Sequence, residues 1–295
     1  MKLLVTGAAG QLGAVILRRF SAAGHRVVGT TRRELDVTRH DAVMAAVARE
    51  HPDVIINCAA YNAVDRAEDE PLAALDANAF AVRSLARAAD GIGAALVHFG
   101  TDFVFDGTSD RPYTEDDRPN PQSVYASSKL LGEWFAQDVS RGYVLRVESL
   151  FGGPAARSSI DGILDALETG REARAFVDRV VSPSYVEDVA RATEALLERR
   201  ATPGVYHCVN GGHATWYTLA LEASAMAGCD RRLVVPVRVA DVALRARRPA
   251  YAALSNAKLA SCGIALPTWQ DALRRYVEER RSLRSRRETA PRNGG

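Results

Sequence analysis

Apolar runs of strand length alternate with amphipathic stretches along the first half of the chain. KLLVT (2–6), RVVGT (26–30), DVIINC (53–58), AALVHF (94–99) and YVLRV (143–147) are apolar at nearly every position. Segments of helical period separate them, at 12–23, 39–51 and 72–91, and, after a loop, at 123–139. Strands without polar alternation have both faces covered, and helical crossovers between them make them parallel. The pattern predicts an α/β fold: a Rossmann-type doubly wound parallel sheet.

The pattern loosens after residue 150. A helix is expected over 184–200, where Val186, Val189, Ala190, Thr193, Leu196 and Leu197 share one face. GVYHCV (204–209) reads as a further strand and 215–228 as a further helix, whereas the rest of 228–283 is mixed. These shifts divide the chain into a dinucleotide-binding Rossmann domain over 1–149 and a smaller C-terminal substrate lobe over 150–283. Residues 184–212 should return to the Rossmann core. The last residues, 284–295, are polar and basic without apolar period, and read as a disordered tail.

Composition narrows the function. The 295 residues are 47% apolar and 25% charged, which suits a globular chain, and the formal net charge is +2. The arginines are spread out rather than set in a basic stripe with interleaved aromatics, so no nucleic-acid partner is expected. Cys58, Cys208, Cys229 and Cys262 stand far apart, without metal-ligand or disulfide-framework spacing, and are expected as free thiols. The N-terminal apolar run meets glycine too soon for a signal peptide, and no stretch is long and apolar enough for a membrane span. A cytoplasmic protein acting on a small molecule is the expectation.

VTGAAGQLG places Gly7, Gly10 and Gly13 directly after the first strand and at the mouth of the first helix. Glycines there let the backbone turn tightly and approach a pyrophosphate, which then faces the positive end of the helix dipole. An acid at the end of the second strand would bond the ribose of NAD, whereas arginine would accept the extra phosphate of NADP. Here Arg32 and Arg33 precede any acid, which favours NADP(H), with NAD(H) as the alternative.

YASSKLLGE (125–133) holds Lys129, in a chain whose other lysines are Lys2 and Lys258. Tyr125 and Lys129 are four apart and so share one helix face. A cation beside the phenol is expected to lower its pKa towards the range of general acid-base catalysis. Thr101 and Asp102 follow the fourth strand, where ligands of open α/β sheets bind; Thr101 can hold a carbonyl oxygen near the phenol, and Asp102 a substrate hydroxyl.

With these motifs the chain resembles the extended short-chain dehydrogenase/reductases, and within them the dTDP-4-dehydrorhamnose reductase family. The G-x-x-G-x-x-G spacing, PDVIINCAAYNAVDRAEDEP, the block from VHFGTDFVFDG to YASSKLLGE, and RPAYAALSNAKL carry the likeness. The resemblance implies reduction of the 4-keto group of a nucleotide-linked deoxysugar. It makes Tyr125 the proton donor, with Lys129 and Thr101 as its catalytic partners. Gly10, Gln11 and Leu12 would contact pyrophosphate, and Asp36 and Val37 the adenine. Ala59, Ala60, Tyr61 and Phe99 would line the cofactor.

Departures fall on the substrate side. Ser149 stands where the family packs a tryptophan on the sugar, Gly100 where serine is common, Tyr61 where histidine is common, and RPAYAALSN lacks a polar Asn-Ser pair. Arg248 is the candidate for the nucleotide diphosphate. Val15 replaces an acid that binds magnesium in some members, so no metal is expected. Trp216 reads as a stacking platform or a core residue, and His207 and His213 as structural or exposed. A homodimer is compatible with the likeness. Two alternatives remain: a nucleotide-sugar epimerase or dehydratase, and a non-catalytic dinucleotide-binding subunit resembling the regulatory subunit of methionine adenosyltransferase.

Overall fold

In the computed structural model, which describes residues 1–154 and 158–289, with side chains to residue 283, six parallel strands form the central sheet. They are β1 (Lys2–Thr6), β2 (Arg26–Thr30), β3 (Val54–Asn57), β4 (Ala95–Thr101), β5 (Gly142–Val147) and β6 (Gly204–His207). Their spatial order is β2-β1-β3-β4-β5-β6, so the chain reverses direction between β1 and β3. A crevice opens at such a switch point, beyond the carboxyl ends of the strands.

Strand composition explains the two covered faces. Leu3, Val5, Val54, Ile56, Val97 and Leu145 point into one core layer, and the intervening Leu4, Ile55, Leu96 and Val144 into the other. The first layer packs on α1 (Gln11–Ala22) and α6 (Val186–Glu198), and the second on α2 (His40–Glu50), α3 (Ala81–Gly91) and α4 (Val124–Gln137). A π-helical turn, Asp76–Phe80, precedes α3 and follows a short helix, Pro71–Leu75. The second half adds α5 (Ser159–Glu168), α7 (Trp216–Ala227) and α8 (Trp269–Thr289), with a small parallel pair of strands, Ala173–Phe176 and Val234–Val237.

Residues 186–207 do return to the sheet, as α6 and β6. The first core layer is continuous from β1 through α7 to Leu273 and Tyr276 of α8, so the two halves share one core. Helix α8 runs past residue 284, where the tail was expected to begin, to Thr289; residues 290–295 lie outside the described residues. No helix among the described residues is long and apolar enough to cross a membrane.

Candidate active site

The β1–α1 turn is shaped by its glycines. Gly7 sits at φ +67, and a Cβ there would come within 2.7 Å of the Ala59 amide nitrogen. A Cβ on Gly13 would collide with the Gly7 carbonyl, which itself accepts the Gly10 N–H at 2.9 Å. Gly10 caps α1 without a side-chain hydrogen bond and no acid stands in its first turn, so the helix offers its amides to an anion. The cradle fits a dinucleotide pyrophosphate.

Two adjoining cavities meet at this turn. One, of about 720 Å³, opens over the ends of β1, β2 and β3 and is lined by Gly7, Arg32, Asp36, Val37 and Tyr61 among others. The other, of about 400 Å³, is lined by Gln11, Leu12, Gly13, Phe99, Thr101, Asp102, Tyr125, Lys129 and Ser149. Gly10, Cys58, Ala59 and Ala60 belong to both. The structure thus brings together every cofactor-binding and catalytic candidate except Arg33, which lines neither cavity. Arg248 lies outside them as well: it is held by Asp65 at 2.7 and 2.9 Å and borders a separate cavity beside Gly107.

Helix α4 presents Tyr125 and Lys129 from successive turns. Ser123 caps its start by accepting the Ala126 N–H at 3.2 Å. The Tyr125 ring packs edge-on to Phe103, and the Lys129 ammonium donates to the Phe99 carbonyl oxygen at 2.6 Å. Both residues are buried. Asn78, on the π-helical turn, fixes the neighbourhood: it donates to Ser128 at 3.0 Å and exchanges bonds with the Tyr61 backbone. Thr101 Oγ1 donates to Asp102 at 3.1 Å.

The electrostatics differ from expectation in one respect. Burial, followed by the charge of Asp102, pushes the Tyr125 phenol above its ordinary value, and a hydrogen bond to Thr101 offsets part of this. Burial thus outweighs the lowering expected from a neighbouring cation, and the Lys129 ammonium donates to the Phe99 carbonyl. Burial in turn lowers Lys129 to about 8, against the opposing pull of Glu133 and Cys58. Cys58 is pushed up to about 12 by burial, so it is a thiol rather than a nucleophile.

Sequence reasoning missed several residues around these cavities. Glu148 and Arg179 are buried charges next to the site, and Asn62 and Phe103 line it. Position at the carboxyl end of a strand was the available signal for Glu148, which follows β5 directly. Arg179 borders a third cavity of about 340 Å³ with Arg174, Phe176 and Trp216, joined to the second through Ser159. Trp216 is buried and its indole N–H has no partner. His207 is fully buried, bonded to the Tyr113 carbonyl, and lowered to about 3 by burial and then Arg146, a structural residue. No disulfide joins Cys58, Cys208, Cys229 or Cys262 among the described residues.

Comparison with known proteins agrees with this geometry. The family described as RmlD substrate binding domain matches residues 1–282. The chain is 36% identical over 278 residues to a dTDP-4-dehydrorhamnose reductase of Streptomyces griseus, covering 92% of this chain and 91% of the relative. It is 33% identical over 281 residues to the spore coat polysaccharide biosynthesis protein SpsK of Bacillus subtilis, covering 95% and 98%. A solved dTDP-4-dehydrorhamnose reductase from Bacillus anthracis, in complex with NADP, superposes with a TM-score of 0.90 at 29% identity, covering 94% of this chain and 99% of that one.

Proposed function

The chain belongs to the RmlD substrate binding domain family, and from that membership we propose that it reduces the 4-keto group of a nucleotide-linked deoxysugar with NADPH. The observation that carries the reading is the convergence of Tyr125, Lys129 and Thr101 on a cavity continuous with the glycine cradle. The likeness to an NADP-bound reductase supports the cofactor, as does Arg32 at the far end of the first cavity.

Bound NADPH supplies the hydride. The glycine turn and the α1 amides would hold its pyrophosphate, Arg32 would meet the extra phosphate, and Lys129 would bond the ribose next to the ring. Tyr125 gives its phenolic proton to the substrate oxygen as negative charge develops there. Its raised pKa keeps that proton in place until it is needed, which suits a donor working in the reducing direction. Thr101 bonds the same oxygen and Asp102 a neighbouring sugar hydroxyl. Arg174 would take the diphosphate, and the rings of Phe176 and Trp216 would face the base, in the cavity that shares Ser159 with the second. This assigns the diphosphate to a residue other than Arg248, whose guanidinium is already paired with Asp65.

The test is loss of NADPH absorbance with a panel of dTDP-, UDP- and GDP-linked 4-keto-6-deoxyhexoses. Turnover is expected with at least one, and Tyr125→Phe should lower kcat by about 10²- to 10⁴-fold while NADPH still binds. Silence across the panel would return the chain to a non-catalytic dinucleotide-binding role, and full turnover by the phenylalanine variant would remove Tyr125 as the proton donor.

A further inference from the structure

Asp102 and Glu148 leave neighbouring strands at the same height. β4 and β5 are parallel, and their register pairs Thr101 with Val147. The residue that follows each strand is a carboxylic acid, Asp102 at the start of a 3₁₀ turn and Glu148 directly after β5, and the two are close enough for their charges to interact. Both are buried, with 3% exposure for Asp102 and 2% for Glu148. Asp102 lines the catalytic cavity and accepts from Thr101, whereas Glu148 does not line it and accepts the Ser182 N–H at 2.6 Å through Oε2. Glu148 Oε1 is buried without any partner.

The cation facing both acids is the guanidinium of Arg179, itself 8% exposed and bonded to the Pro249 carbonyl at 3.3 Å. Two acids and one guanidinium, each less than a tenth exposed, cannot all be ionised cheaply, because the second negative charge has little solvent about it. An oxygen that lacks a donor is where a carboxyl proton would sit.

We propose that Glu148 is a positioning residue for the reduction: it and Asp102 retain one proton between them, so that Asp102 meets the sugar as part of a singly charged pair with Arg179 as counter-ion. The pair itself follows from the register and burial; its consequence for turnover rests on the reductase reading. Burial raises both acids above the usual carboxylate range, and the charge of Asp102 raises Glu148 further, against Arg179 and the Ser182 amide. Tyr125 feels Asp102, Tyr251 feels Glu148, and Arg179 feels Arg248 and Asp178 in addition. Loss of the retained proton at alkaline pH would set a second negative charge beside the oxygen being reduced.

Glu148→Gln keeps the shape and the acceptor for Ser182 but cannot ionise. Infrared difference titration of the carboxyl C=O band, without cofactor or sugar, is expected to show a buried carboxylic acid surviving above neutral pH in the wild type and missing in Glu148→Gln. In Asp102→Asn the Glu148 band should titrate at least about one pH unit lower, at about tenfold higher proton concentration. In turnover, the alkaline limb of the wild type should contain one ionisation more than that of Glu148→Gln. A wild type with no surviving carboxylic acid above neutrality, or a Glu148 band indifferent to Asp102→Asn, overturns the proposal. So does a Glu148→Gln profile that is merely scaled down with the same alkaline limb. The wild-type titration decides even where a variant fails to fold, and because it needs no substrate it stands apart from any failure of the reductase reading.

Discussion

Lys129 carries its charge where water cannot reach it. Its carbonyl partner at 2.6 Å compensates only part of the lost hydration, and its pKa falls from 10.5 to about 8. Below pH 8 the lysine is charged in both the folded and the unfolded chain, and the folded one bears the desolvation cost. As pH rises from about 8 towards 10.5 the folded chain releases this proton first, so the unfolded chain holds more protons and stability from this residue increases. Lys129→Met has no such titration. In urea unfolding of the unliganded protein, the wild type should gain on the methionine variant by on the order of 2 kcal/mol between about pH 7 and about pH 9.5. A difference that does not move with pH would mean that the ammonium is not desolvated. Arginine at this position would keep its charge throughout and could not be brought as close to one carbonyl oxygen.

At the scale of elements, the site depends on how tightly α4 is clamped to the sheet. Glu133 on α4 and Arg146 on β5 form a fully buried ion pair at 2.8 Å, with the guanidinium also over the Phe105 ring. A Cβ on Gly132 would collide with the Asn78 carbonyl, and one on Gly100 with the Glu133 carboxylate, so glycine at both positions lets helix, π-helical turn and β4 close up. This explains the glycine at 100, read in the sequence only as a departure. Glu133→Ala strands a buried guanidinium and should cost about 3–5 kcal/mol, while Glu133→Leu with Arg146→Met should recover most of that loss. Equal losses in the single and double variants, measured by urea unfolding, would mean the pair is not what holds the helix. The elements themselves were legible where the signal is local. KLLVT and RVVGT match β1 and β2 to the residue, and the i,i+4 spacing of Tyr125 and Lys129 holds on α4. The helix expected over 72–91 hides a π-helical turn, because apolar periodicity does not mark a single wider turn. Arg248 could not be placed from sequence, since its partner Asp65 is 183 positions away. The pairing of Asp102 with Glu148 likewise needs the strand register, which is set by non-local contacts.

At the scale of the whole molecule, the division expected at residue 149 does not separate two cores. The core layer beneath β1 and β3 also contains Leu219 of α7 and Leu273 and Tyr276 of α8. Buried polar ties reinforce it: Asn210 and Arg275 both bond Asp188 of α6, Tyr185 bonds Glu279 at 2.7 Å, and Arg280 bonds Asp161 of α5 at 2.8 Å. A chain ending at residue 149 would lose β6 and α6 from the sheet and expose that layer, so it is not expected to fold. The intact chain should unfold in one cooperative transition. The cavities proposed for NADPH are lined mainly by the first half, yet at 100 times its Kd the cofactor should stabilise the entire transition by about 2.7 kcal/mol, moving the single Tm upward by several degrees. Calorimetry with and without NADPH checks this. Two transitions, only one of which moves with the cofactor, would mean that the halves fold separately and that the shared core does not couple them.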